Sequence, residues 1–173
     1  MNKEKTNRVL EYFDELFPDA YCELNHESDF QLLVAVMLSA QTTDKKVNQL
    51  TENLFKKYPT VEAVSQASLP ELEQDIKTIG LYRNKAKNLL ALSHVLIEQF
   101  DGIVPSDQKQ LESLPGVGRK TANVVRSVAF DIPAFAVDTH VERISKRLGF
   151  AKRDDNVLTV EKKLCRSIPR NRW

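Results

Sequence analysis

Apolar residues recur every three or four positions along almost the whole chain of 173 residues, and no stretch alternates apolar and polar residues as a half-buried strand does. This spacing places apolar side chains on one face of a helix. Six prolines fall at the edges of the periodic segments, where proline is tolerated: 59, 70, 105, 115, 133 and 169. The pattern predicts an all-α protein of about ten short helices.

Signals for individual helix ends support this prediction. The first helix presents one apolar face, with Val9, Leu10, Phe13 and Leu16. Thr43 is placed as an N-cap, and Ser68 followed by Glu71 has the pattern of a capping box. Gly102 and Gly149 are predicted to be helix C-caps, because glycine adopts the left-handed conformation that ends many helices.

Several classes of protein do not fit the sequence. The longest apolar stretch, Leu32–Leu38, is too short to span a bilayer, and the N-terminus lacks the apolar core of a secretory signal. The two cysteines, Cys22 and Cys165, are too few for a disulfide framework or a metal cluster. A cytoplasmic protein with two reduced thiols is expected.

The net charge of +1 gives no general attraction to nucleic acid, but the charges are unevenly distributed. Residues 1–30 hold eight acids and three bases, whereas residues 140–173 hold ten bases and four acids. The basic segment is compatible with DNA binding and equally with a solvated surface.

The most informative stretch is LESLPGVGRKTANVV at 111–125. It predicts a helix that ends near Leu114, a turn at Pro115–Gly118, and a new helix from about Arg119. Glycine at both turn positions permits positive φ angles and close approach of another chain segment. The N–H groups at the start of the new helix, with the positive end of its dipole, would form an anion site suited to a phosphate. The alternative is a plain hairpin of two helices packed in a core, and the flanking Leu-Pro and Arg-Lys-Thr-Ala favour DNA. IGLYRNKA at 79–86 indicates that a similar helix–turn–helix unit occurs twice.

Four motifs occur together: LLVAVMLSAQTTD (32–44), IKTIGLYRNKAKN (76–88), LPGVGRKTANVV (114–125) and AVDTHVERISKRLGF (136–150). Through them the chain resembles the helix–hairpin–helix superfamily of DNA glycosylases, and in particular its bacterial endonuclease III branch. The resemblance covers nearly the whole chain. It implies a two-lobed all-α fold with a DNA-binding cleft, formed by a helical domain at 22–132 and a second at 1–21 plus 133–173.

The resemblance also implies a bifunctional enzyme of base excision repair. Such an enzyme is an N-glycosylase and abasic-site lyase that excises oxidised pyrimidines through a lysine Schiff base and β-elimination. Its partner is double-stranded DNA with a damaged base or an abasic site. We expect a monomer that works without a membrane, in the bacterial cytoplasm with the nucleoid.

Two residues match the catalytic positions of the family. Lys120 is identified by the resemblance as the nucleophile; Arg119, the helix start and partial burial are all expected to disfavour its ammonium form. Asp138 is identified as the carboxylate that assists it and stabilises positive charge on the sugar. Without the resemblance, the two residues would be interpreted as a phosphate contact and an ordinary N-cap.

Further contacts with DNA follow from the same resemblance. Gln41 is expected to fill the gap that the extruded nucleotide leaves, and Leu81, with Ile79, to wedge into the base stack. The hairpin and the start of the helix after Asp138 are expected to contact phosphates, through Pro115, Gly116, Val117, Gly118, Arg119, Thr121, Thr139 and His140. Polar pocket residues are predicted to be Ser39, Asp44 and Glu112.

The chain departs from the family at its C-terminal end. Family members continue past this point with four cysteines that ligate a [4Fe–4S] cluster, whereas this sequence ends at Trp173 and Cys165 matches none of those ligands. The cluster is implied by the family, but its ligands are absent here. A chain that ends at Trp173 is expected to be colourless and to bind DNA more weakly.

Two other functions remain alternatives at this stage. One is a non-catalytic helix–hairpin–helix module that only binds DNA; such a module needs neither Lys120 nor Asp138. The other is an adenine-mismatch glycosylase of the same superfamily, which resembles this chain but carries a catalytic glutamate on the helix matching 31–43 and lacks the lysine. No acid lies between Asp29 and Asp44.

Overall fold

The computed structural model describes residues 2–173, and this part of the chain holds ten α-helices and a 3₁₀ turn but no strand. In chain order the elements are α1 (Lys3–Leu16), α2 (Asp29–Leu38), α3 (Asp44–Lys57), α4 (Val61–Ser65), α5 (Leu69–Ile76), α6 (Tyr82–Phe100), α7 (Gln108–Ser113), α8 (Arg119–Ala129), α9 (Thr139–Leu148), α10 (Val157–Ser167) and the 3₁₀ turn Arg170–Arg172. The all-α prediction is confirmed. No helix within these described residues is both long and apolar enough to cross a membrane.

The chain divides into two compact units. The larger unit is Glu23–Phe130 and contains α2 to α8. The smaller unit combines the chain up to Cys22 with Asp131–Trp173, and therefore contains α1, α9 and α10.

The core of the larger unit forms around α2. Every residue from Phe30 to Leu38 is buried, as expected for a helix that is apolar on nearly all sides. Helices α3, α6 and α8 pack against α2, and α4 and α5 pack against α6. Gln31, the polar residue in the buried run, accepts a hydrogen bond from the Glu27 N–H at 2.9 Å, so its burial is compensated.

The smaller unit has a core of its own. Its buried residues are Val137, Phe150, Ala151, Val160, Leu164 and Ile168. Val9 and Leu10 of α1 pack against this core, whereas Phe13 and Leu16 on the same predicted face are 37% and 50% exposed. The periodicity of α1 thus predicts which residues share a face, but only half of that face is covered.

The capping box predicted for α5 is present. Ser68 Oγ accepts from the Glu71 N–H at 3.4 Å, and Glu71 Oε2 accepts from the Ser68 N–H at 3.1 Å. Thr43 is the N-cap of α3, as predicted, but its side chain makes no capping hydrogen bond.

The two glycines predicted to end helices differ in outcome. Gly149 is the C-cap of α9 with φ +86°. Gly102 follows the C-cap of α6, a position that Asp101 occupies with φ +52°. The prediction for Gly102 was wrong by one residue because two consecutive left-handed residues turn the chain there, and the Gly102 N–H bonds to Leu96 O at 2.9 Å.

We expect Ser68→Ala to lower the free energy of unfolding by about 1 kcal/mol, because an N-cap hydrogen bond is lost from α5. The matched control is Thr43→Ala, which removes an N-cap side chain that makes no capping bond. Urea denaturation of both variants measures the difference. An equal loss in both would mean that the capping box contributes nothing specific.

Candidate DNA-binding and catalytic site

The predicted hairpin is formed by α7, the turn Leu114–Gly118 and α8. The new helix begins at Arg119, as predicted, and Gly118 is its N-cap. Gly118 has no side chain and so makes no side-chain capping bond. The positive end of α8 therefore begins at a glycine, and such a helix start is suited to an anion.

Gly116 fixes the hairpin against two other helices. Its φ of +77° lies in the left-handed region, which confirms the prediction for this glycine. A Cβ atom at this position would lie 2.9 Å from Asn88 Cβ on α6 and 3.0 Å from Met37 Sδ on α2. The turn can therefore pack this closely only with glycine.

Gly118 has a different role from the one expected. Its φ of −94° and ψ of 176° are extended, so this glycine does not use the positive φ that the sequence permits at both turn positions. A Cβ atom here would meet nothing within 4 Å. The backbone at the start of α8 is therefore open to the surface on this side.

Val117 anchors the turn and does not present its side chain to a ligand. The side chain is 6% exposed, and its N–H donates to Leu114 O at 3.1 Å. The hydrophobic side chain of Val117 therefore completes the core under the turn, and the expected contact of the hairpin with DNA stays a prediction. Pro115 and Thr121 are half-buried on either side.

Lys120 is the second residue of α8, and its side chain is exposed. The expected partial burial was wrong because the first turn of α8 precedes the buried residues, which begin at Ala122. Arg119 Nη1 lies 3.4 Å from Glu112 Oε1, and Glu112 also accepts from Gln108 Nε2 at 2.8 Å. Glu112, predicted to be a pocket residue, thus forms an ion pair with Arg119.

Asp138 is the N-cap of α9 in the smaller unit. Its Oδ1 accepts from the His140 N–H at 2.9 Å and from the Val141 N–H at 2.8 Å. The two bonds fix the half-buried carboxylate at the positive end of α9. Thr139 and His140 are exposed in the first turn, and His140 Nδ1 lies 3.2 Å from Arg143 Nη2.

Gln41 and Leu81 share an unusual backbone conformation. Both are exposed residues with left-handed φ angles, +55° for Gln41 and +59° for Leu81. Leu81 is the N-cap of α6 and is 56% exposed. Non-glycine residues in this region carry strain and often lie at functional sites.

Ile79 is buried, unlike the exposed Leu81. It is 2% exposed, and the prediction that it wedges into DNA was wrong because it belongs to the core of the larger unit. Ser39 is the C-cap of α2 and donates from Oγ to Val36 O at 2.8 Å, whereas Asp44 is exposed as the first residue of α3.

Sequence reasoning missed Lys85, a buried residue of α6 whose ammonium binds the segment around Gln41. A signal for it existed. Lys85 lies four residues before Leu89 and therefore on the same helical face as the buried Leu89 and Leu92. A lysine on an apolar face requires buried acceptors, and the sequence does not say which ones.

Comparisons with known proteins agree with this geometry. Residues 34–170 match the model of the HhH-GPD superfamily base excision DNA repair proteins, which defines the class of this fold and hairpin. Endonuclease III of Bacillus subtilis is 55% identical over 173 residues, covering 100% of this chain and 79% of that protein. Endonuclease III of Escherichia coli K12 is 46% identical over 169 residues, covering 98% and 80%.

Solved structures give the same result. A trapped covalent intermediate of endonuclease III with DNA superposes with a TM-score of 0.97 at 55% identity, covering 100% of this chain and 81% of that one. A thermostable thymine-DNA glycosylase, 23% identical, shares the fold with a TM-score of 0.80 over 98% of this chain and 84% of its own. The chain belongs to the HhH-GPD superfamily and, within it, to the endonuclease III family. It is accordingly a DNA glycosylase/lyase of base excision repair.

The endonuclease III family implies a [4Fe–4S] cluster, which four cysteine thiolates hold. The chain has two cysteines, Cys22 and Cys165, and both are partly buried. Among the described residues no group of three or more His, Cys, Asp or Glu side chains is arranged to hold a metal. The residues of this chain therefore do not provide the ligand set of the cluster.

Gly116→Ala should lower the free energy of unfolding by about 1–3 kcal/mol, because alanine is strained at this positive φ and collides with Asn88 and Met37. Gly118→Ala should leave stability almost unchanged, because its φ is ordinary and the space is open. Urea denaturation tests both. Similar losses in the two variants would show that the close approach at Gly116 is not what constrains the hairpin.

Proposed function

We propose that this DNA glycosylase/lyase excises oxidised pyrimidines from double-stranded DNA, with Lys120 as its nucleophile and Asp138 as the assisting carboxylate. The observation that carries the proposal is the start of α8. A helix N-terminus with glycine as its N-cap, open at Gly118, presents an exposed lysine at its second position. A phosphate held by the helix start would bring the sugar of the neighbouring nucleotide within reach of that amine.

The chemistry needs a neutral amine and an extruded nucleotide. A base inside a duplex is out of reach, so the nucleotide must leave the stack first. Lys120 Nζ then bonds to C1′ of the sugar, the bond from C1′ to the base breaks, and the base leaves with a proton. The C1′–O4′ bond then breaks as the nitrogen lone pair forms the C1′=N bond, and O4′ takes a proton, which gives the open-chain Schiff base. The Schiff base acidifies C2′, and loss of a C2′ proton expels the 3′ phosphate and cuts the strand. The trapped covalent intermediate reported for the related endonuclease III supports this course.

Asp138 suits the second role because its carboxylate is already held in place. Oδ1 is fixed by two backbone N–H groups of α9, so the side chain needs little reorganisation during the reaction. We assign to it the acceptance of a proton from Lys120 and the stabilisation of positive charge on the sugar.

Phosphate contacts come from the positive helix starts and from nearby basic side chains. In the larger unit these are the first turn of α8 and Arg119; in the smaller unit they are Thr139 and His140. The surface of α9 also forms a shallow pocket with many basic side chains, lined by Thr139, Glu142, Arg143, Lys146, Arg147 and Arg153. Binding should therefore weaken as salt rises.

Gln41 and Leu81 are assigned to the gap in the base stack. An exposed amide can pair with the base left without a partner, and an exposed leucine can separate the adjacent bases. We place the enzyme as a monomer on chromosomal DNA in the bacterial cytoplasm, since its substrate is there and its named relatives are bacterial.

The decisive experiment is borohydride trapping, which reduces a Schiff base to a stable protein–DNA adduct. Wild-type protein should trap on duplexes with thymine glycol or an abasic site, and not on a uracil duplex. Lys120→Gln should abolish trapping while DNA affinity changes little, because one exposed charge contributes modestly among many phosphate contacts.

The matched control is Lys45→Gln, since Lys45 is likewise exposed at the second position of a helix, α3, whose N-cap residue makes no side-chain capping bond. It should trap as the wild type does. Undiminished trapping by Lys120→Gln would remove Lys120 from the nucleophile role. Trapping on uracil but not on thymine glycol would contradict the assigned substrate.

Asp138→Asn should slow excision by ~10²–10⁴-fold with little change in stability, because asparagine keeps the capping oxygen and loses the charge. Single-turnover excision and urea denaturation measure the two effects. Asp107→Asn is the control, because Asp107 caps α7 with the same pair of bonds, to the N–H groups of Lys109 and Gln110. Normal excision by Asp138→Asn would leave Asp138 with a structural role alone.

A further inference from the structure

Lys85 is a buried cation whose hydrogen bonds are all satisfied by one short segment of the chain. The residue is 5% exposed. Its Nζ donates to Leu38 O at 2.9 Å, Ala40 O at 2.7 Å and Thr42 Oγ1 at 3.0 Å. An ammonium group has three N–H donors, so these bonds use its full capacity. Burial lowers the pKa of Lys85 below its usual range.

The three acceptors lie on both sides of Gln41. Leu38 and Ala40 precede it at the carbonyl end of α2, and Thr42 follows it. Gln41 itself has a φ of +55°, which a residue other than glycine keeps only where its surroundings hold it. Lys85 supplies bonds that hold this turn.

The backbone N–H of Lys85 also bonds to Leu81, the other residue assigned to the base stack. The Lys85 N–H donates to Leu81 O at 3.0 Å, which makes it the first helical bond of α6. Leu81 has a left-handed φ of +59° and is 56% exposed. One residue thus connects two exposed, left-handed positions that are forty residues apart in the sequence.

We propose that Lys85 is a positioning residue for nucleotide extrusion, which holds the Gln41 turn to the first turn of α6 so that Gln41 and Leu81 enter the base stack as one rigid unit. The inference rests on the proposed function, because only a duplex substrate requires both side chains to enter together. Lys85 need not touch DNA for this purpose.

The test compares Lys85→Met with Lys87→Met, which removes the same charge from an exposed position of the same helix. Lys85→Met should slow excision of thymine glycol from a duplex by ~10²-fold, as expected when an inserting group is displaced by about an ångström. Trapping on a single-stranded abasic oligonucleotide should not change, because no opposite strand has to be opened. Lys87→Met should change neither.

A direct readout is 2-aminopurine placed opposite the lesion, which brightens when its stacking is interrupted. Its fluorescence should rise more slowly with Lys85→Met than with Lys87→Met. This fluorescence measurement does not require base excision or strand cleavage. If the wild type failed to trap on any substrate, the proposed function would be overturned, and the fluorescence would still decide the role of Lys85.

A double-mutant cycle separates positioning from general destabilisation. In the Gln41→Ala background, Lys85→Met should cost much less duplex excision than in the wild type, because there is no inserting amide left to position. Additive losses would overturn the proposal, as would equal losses on duplex and single-stranded substrates. Thr42→Val, which removes one acceptor and keeps the shape, should give a smaller loss of the same kind. It replaces Lys85→Met if circular dichroism shows that variant to be unfolded.

Discussion

Helix α2 is the element on which the larger unit depends, because it must be buried on every side and its carbonyl end must still be satisfied. Its residues from Phe30 to Leu38 lie in the core, and α3, α6 and α8 surround it. A helix of this kind has no solvent face on which its last carbonyl groups could meet water. Two of the acceptors at and just beyond this end, Leu38 O and Ala40 O, are bonded by the ammonium of Lys85. The residues of the larger unit that are assigned to DNA are positioned by this arrangement.

The parts of the larger unit assigned to DNA are all attached to α2 or to the helices that cover it. The hairpin turn packs at Gly116 against Met37 of α2 and Asn88 of α6. The Gln41 turn follows α2 directly, and Leu81 is the N-cap of α6. Because the turns are fixed on a close-packed core, they can hold strained left-handed residues and present them to a ligand without losing their shape.

In the smaller unit, the residue assigned to catalysis is held in place by a different kind of interaction. Asp138 is fixed by the N–H groups of α9, so one local interaction stabilises the helix and immobilises the carboxylate. Residues with such a double role are difficult to interpret from sequence, since the same motif serves ordinary helix starts. What distinguishes Asp138 in the sequence is its occurrence in a motif shared with a known family.

The sequence by itself determined the all-helical class, the number of helices, the capping box at Ser68, and the hairpin with α8 starting at Arg119. These features are local: they depend on periodicity and capping within a few residues, which neighbouring side chains alone decide. Tertiary structure decided the burial of Ile79 and Val117 and the role of Lys85. Each of these depends on which distant segment lies against the residue. No helical period or local motif contains that information, because long-range packing selects the partner from the whole chain.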